Sequence, residues 1–246
     1  MDNITLASNI LFSIGSFPVT NTFLWTVVAS VFLMIFFVLI ARRMKSVPGG
    51  AQNVVEMLLE GAYSFTESVI GPGKPARKIF PLVGTMFIFI LFSNFLVYIP
   101  GQSALTVYKG GNPVPVFRAI MSDYGLVLVM TLISVITTQI VSFAVLGPFK
   151  YIGKFINLKG PLDFFLGLMD LVGEIAKVIS LSFRLFGNIF AGEVLTAVIL
   201  FLMPFFAPLP FMFLGLLTAV VQAFVFAVLT LVFTSMVIES SSEEVK

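Results

Sequence analysis

The sequence predicts an all-α membrane protein with five membrane-embedded helices, the last two long and tilted as a hairpin, and one amphipathic helix on the membrane surface. Three observations carry this expectation. Of 246 residues, 59% are hydrophobic and 11% charged, and the mean hydropathy is +1.09, which no ordinary soluble domain approaches. Five apolar segments stand clear of the charged residues between them. Lysine and arginine collect on alternate connections, as the positive-inside rule requires of a chain that crosses repeatedly.

Composition also removes chemistry. With no cysteine there is no disulfide, thiol nucleophile or zinc-thiolate site, and with no histidine the commonest metal ligand and general base is missing. A net charge of +2 gives no reason to expect nucleic acid as a partner. The first apolar run is followed by Arg42 and Arg43 rather than by small residues, so it is expected to span and not to be cleaved as a signal.

Residues 23–41, 79–99 and 124–146 each have the length of one crossing, since roughly 20 apolar residues cover a hydrocarbon core of about 30 Å. Residues 51–70 place Val54, Leu58, Phe65 and Val69 near one face and Glu56, Glu60 and Glu67 near another, the pattern of a helix lying on the surface. Its acidic face suits a basic partner segment better than anionic lipid. Residues 161–203 and 211–238 are too long for one upright crossing, so they must tilt or break, and Pro204, Pro208 and Pro210 supply the turn between them.

Ten of the fourteen basic residues fall on one side of this topology, among them Arg42, Arg43, Lys45, Lys74, Arg77, Lys78, Lys150, Lys154, Lys159 and Lys246. Lys109 and Arg118 fall on the other. The rule therefore sets the N-terminus outside and the C-terminus in the cytoplasm. Lys177 and Arg184 remain inside a membrane segment, where an ionisable side chain costs at least about 2.5 kcal/mol on insertion scales.

At 100° per residue, Asp170, Glu174, Lys177, Arg184 and Asn188 form one polar stripe on that segment, and Glu193 lies about 180° from Arg184 and about 13 Å beyond it. Carboxylates can pass protons and a guanidinium cannot, so the layout suits a proton path interrupted by a fixed positive charge. Structural roles stand beside this one. Asp170, Glu174 and Lys177 can form a local charge cluster, Asp163 suits a helix N-terminus, a pairing of Arg184 with Glu174 would have to reach across about three turns, and Asp123 can cap the helix that follows it or help line the outer entry of such a path.

The stretch KVISLSFRLFGNIFAGE, followed some thirty residues on by VVQAFVFAVLTLVF, resembles subunit a of the F-type ATP synthases, the membrane stator subunit beside a rotating ring. The order of segments agrees along nearly the whole chain. The resemblance implies that Arg184 is the essential arginine facing a ring carboxylate, that Asn188 lines the same surface, and that Glu193 belongs to the outer proton-access half channel. Gln222 matches the glutamine that approaches the arginine from the last helix, a place where an amide joining two helices is the structural alternative. Lys177 and Ser180 fit the family pattern as well.

Implied partners are c-ring subunits, peripheral stalk b subunits, the other ATP synthase subunits, the lipid bilayer and protons, with the choice between H+ and Na+ resting on the ring. The implied location is a bacterial inner membrane. No cofactor or metal is implied, and the subunit is expected to be non-catalytic. A secondary transporter or ion channel with its own midplane site is the alternative; it would call for repeated halves, and none are visible. One departure from the family stands out. Many relatives carry histidine or glutamate seven residues before the glutamine, and here that position is Gly215.

Overall fold

Inside a bilayer a segment must satisfy its own backbone, so apolar length translates directly into helix. The computed structural model describes residues 8–15, 17–45, 49–99, 106–109, 112–147, 161–203 and 205–243. In chain order its helices are α1 (Asn21–Arg42), α2 (Gly50–Ile70), α3 (Lys74–Leu96), α4 (Tyr124–Leu146), α5 (Pro161–Leu202) and α6 (Pro208–Glu243). All but α2 are long and apolar enough to cross a membrane. The fold is that of an all-α membrane protein. Lys150, Lys154, Lys159, Lys246 and Pro204 lie outside the described residues, as does the side chain of Asp163.

The long segments do not break. α5 is one helix of 42 residues, about 63 Å at 1.5 Å per residue. α6 opens at Pro208, with Pro210 in its first turn where a missing N–H has no intrahelical partner to lose. The pair is antiparallel: Asn188 meets Gln222, while Lys177, toward the start of α5, lies over Phe233, toward the end of α6.

α6 is the central element. Ala219, Ala223 and Ala227 recur every fourth residue and are buried, so α3 can approach closely enough for Asn94 Nδ2 to donate to the Ala219 carbonyl at 3.1 Å. On another face, the hydroxyls of Ser134 and Thr230 are 2.8 Å apart and those of Thr138 and Thr234 3.3 Å apart, two buried links between α4 and α6. Leu181, Leu185 and Ile189 of α5, Met86 and Ile90 of α3 and Phe226 of α6 complete the core. α1 stands to one side, held by Phe32 stacked on Phe92 at 5.3 Å, and leaves Phe32, Met34, Ile35 and Leu39 exposed as lipid-facing surface.

Two features depart from the sequence expectation. Short antiparallel hairpins, β1 (Ile10–Ile14) with β2 (Phe17–Thr20) and β3 (Thr106–Lys109) with β4 (Asn112–Pro115), cover the end of the bundle where α1 and α4 begin. Asn21 binds them there: its Nδ2 donates to Pro115 O at 3.2 Å and its Oδ1 accepts from Asn9 N at 3.2 Å. The second departure concerns α2. Its packed side is Val55, Leu59, Ala62 and the fully buried Thr66, whereas Val54, Leu58 and Phe65 are exposed. Both strips are apolar, and contact with α3 and α6 decides which one is covered. Ser235 Oγ, donating to Val69 O at 2.9 Å, ties the end of α2 to α6.

Candidate functional site

Helical spacing puts Arg184 and Leu185 on different sides of α5, and packing then separates them completely. Leu185 is fully buried and Arg184 is exposed. On the same helix Ile179 and Phe183, and on α6 Leu217, Val221 and Phe224, are likewise exposed large apolar side chains. Arg184 Nη2 reaches Ser180 Oγ at 3.4 Å, and among the described residues no carboxylate forms a salt bridge with it. The pairing of Arg184 with Glu174 is therefore not made. A cation stands on an open apolar helix face.

One turn along α5, Asn188 Nδ2 donates to Gln222 Oε1 at 3.0 Å. Gln222 is buried and Asn188 is exposed, so the pair runs from the α5–α6 seam out to the face that carries Arg184. Such an amide link contributes about 0.6 kcal/mol on average between membrane helices. It also fixes how the polar end of Asn188 is turned.

Glu193, about 13 Å beyond Arg184 on the opposite face of α5, is partly buried. Ser122, in the 3-10 turn Ile120–Ser122 that precedes α4, and Arg118, just before that turn, face its carboxylate, and the Tyr98 phenol lies within electrostatic range. Arg118 Nε also donates to Ser122 Oγ at 3.3 Å. Tyr98, just past the end of α3, is a residue the sequence reading missed. Its hydroxyl occupies the place that a side chain at Gly215 would fill. Asp123 serves the structure, with Oδ1 accepting from Gly125 N at 2.9 Å as the N-cap of α4 and Oδ2 accepting from Thr22 Oγ1 at 2.9 Å.

At the other end of α5, the expected polar stripe divides. Glu174 turns toward the neighbouring helices, accepting from Gln139 Nε2 of α4 at 2.6 Å and from Lys177 Nζ at 2.8 Å. Lys177 in turn lies 4.8 Å from the centre of the Phe233 ring, so it is held by both an ion pair and a cation–π contact. Asp170 is exposed, like Arg184. Among the described residues no cluster of His, Cys, Asp or Glu could hold a metal ion.

These features define a class: a polytopic helical membrane protein whose charged site lies on an open helix face, with separate polar groups toward each end of the bundle. The family model described as ATP synthase A chain matches residues 23–235. The chain belongs to that family. Relatives named ATP synthase subunit a include one from Campylobacter concisus, 36% identical over 99% of this chain and 100% of its own length. Another, from Moorella thermoacetica, is 34% identical over 91% of this chain and 93% of its own, and one from Syntrophobacter fumaroxidans is 35% identical over 92% and 88%.

Proposed function

We propose that this chain is the proton-translocating stator subunit of an F-type ATP synthase, lying against a ring of c subunits and held by peripheral stalk b subunits. It makes no covalent bonds of its own. Its work is to offer protons two aqueous half channels that meet the ring at different points, and so to couple proton flow to rotation and ATP synthesis.

The observation that carries this reading is the exposure of Arg184 on an apolar face without a carboxylate partner among the described residues. A bare guanidinium against lipid is expensive. A ring carboxylate brought to that face would relieve the cost, and the positive charge would in turn lower the proton affinity of that carboxylate and discharge its proton. Protons then enter from the outside by way of Glu193 and pass to a ring carboxylate. After the ring has turned through lipid they leave toward the cytoplasm past Asp170 and Glu174. Arg184 blocks the direct route between the two paths because it cannot give up its own proton. Each charge falling through 100 mV supplies about 2.3 kcal/mol to bias the rotation.

The open face can be tested by proximity. Ala191 lies two turns beyond Arg184 on the same side of α5 and is exposed. In the assembled complex, Ala191→Cys should form a disulfide with a cysteine placed at mid-height on the outer helix of the ring subunit. Met34→Cys on α1, where the parent side chain is 66% exposed, should not. Since the chain has no cysteine of its own, either bond would be unambiguous. Cross-linking from position 34 and none from 191 would place the ring elsewhere and defeat the proposal.

A further inference from the structure

Resting on that function, we propose that Tyr98 lines the Glu193 half of the proton path, its hydroxyl standing in the volume of the side chain that position 215 lacks. The glycine itself is the first observation. Gly215 lies inside α6, where glycine costs about 1 kcal/mol relative to alanine, and its backbone has no positive φ that would call for it. What calls for it is space. A Cβ at 215 would overlap the Tyr98 hydroxyl, while at most of the other described glycines it would meet nothing.

Position is the second observation. The Tyr98 ring packs partly buried against the core while its oxygen faces α6 and lies within electrostatic range of Glu193. One turn back on the same side, Asn94 donates to Ala219 O, and Ala219 is one turn along α6 from Gly215. The Asn94 Oδ1 is buried and has no hydrogen-bond partner among the described residues. Along α6 the polar groups therefore come about one turn apart, the Tyr98 hydroxyl at Gly215, Asn94 at Ala219, and Asn188 at Gln222, with Asn188 one turn from Arg184 on α5. A phenol both donates and accepts, so it can continue a hydrogen-bonded chain that an apolar side chain would interrupt. The charged groups around it are Glu193 and, beyond Ser122, Arg118; Asp123 is engaged with Thr22 and Gly125.

The test uses the whole complex in proteoliposomes, measuring ATP synthesis under an imposed proton gradient as the pH on the Glu193 side is varied. Tyr98→Phe keeps the ring and removes the hydroxyl. It should assemble normally, slow synthesis about tenfold and shift the pH dependence, because a polar group beside Glu193 on the path is lost. Gly215→Ala should impair assembly or rate by displacing the phenol, and combining it with Tyr98→Phe should restore the level of Tyr98→Phe alone. Parent rates and an unchanged pH profile for Tyr98→Phe would overturn the proposal, as would independent, multiplying losses in the pair. Arg184→Ala measured alongside separates the two levels. If it still makes ATP, the proposed function falls; if it is inactive and Tyr98→Phe is normal, only the role of Tyr98 falls.

Discussion

Arg184→Ala should abolish ATP-driven proton pumping and ATP synthesis while leaving the amount of assembled complex unchanged. Assembly should survive because the side chain is exposed and, among the described residues, makes one long hydrogen bond, to Ser180, so little packing is lost with it. Coupling should not survive. Without the positive charge nothing forces a ring carboxylate to release its proton, and nothing bars protons from running between the polar groups near Glu193 and those near Asp170. The loss should be at least about a hundredfold, the usual effect of removing a preorganised electrostatic group. Passive proton leak through the membrane sector should persist. Arg184→Lys should fall between, since lysine keeps a charge but gives up its proton when desolvated. Rates of pumping and leak in inverted vesicles check all three; coupled synthesis by Arg184→Ala would sink the assignment.

Glu193→Gln should have the next largest effect. The amide has nearly the shape of the carboxyl, so Ser122 and Tyr98 keep a neighbour of the same size and the bundle should remain intact. What disappears is a group able to take up and release a proton. A positioned acid or base contributes about a hundredfold or more to proton transfer, and the rate of synthesis should drop on that scale. Glu193→Asp should retain part of the activity, with the carboxylate about one bond length short of its site. Initial rates under a fixed gradient measure this, and a parent-like rate for Glu193→Gln would remove Glu193 from the path.

Helix periodicity carried the reading of α5 a long way because it is local. The opposite placement of Arg184 and Glu193 depends on residue spacing alone, and it is what the structure has. The split of the cytoplasmic charges was harder to see. Glu174 turns to Gln139 of α4, a residue 35 positions earlier, and no spacing within α5 contains that contact. The same holds for the hydrogen bond between Asn188 and Gln222, since the family resemblance set each of them near Arg184 without joining them to each other. Tyr98 and Gly215 are farther apart still in sequence, and a tyrosine at the end of an apolar run carries no sign of which helix its hydroxyl will meet. Strand β1 was hidden for another reason: ILFSI is almost uniformly apolar, so a period of two leaves no visible alternation. In α2 the amphipathic pattern was legible, but of two apolar strips the neighbouring helices chose the one through Val55 and Leu59.

Side-specific labelling tests the central claim, that Arg184 divides two access paths opening on opposite sides of the membrane. With no native cysteine in the chain, Glu193→Cys and Asp170→Cys each provide a single thiol in a complex whose other subunits are free of reactive cysteine. A membrane-impermeant thiol reagent should modify position 193 only from the outside and position 170 only from the cytoplasmic side. Modification of both from the same side would contradict the account.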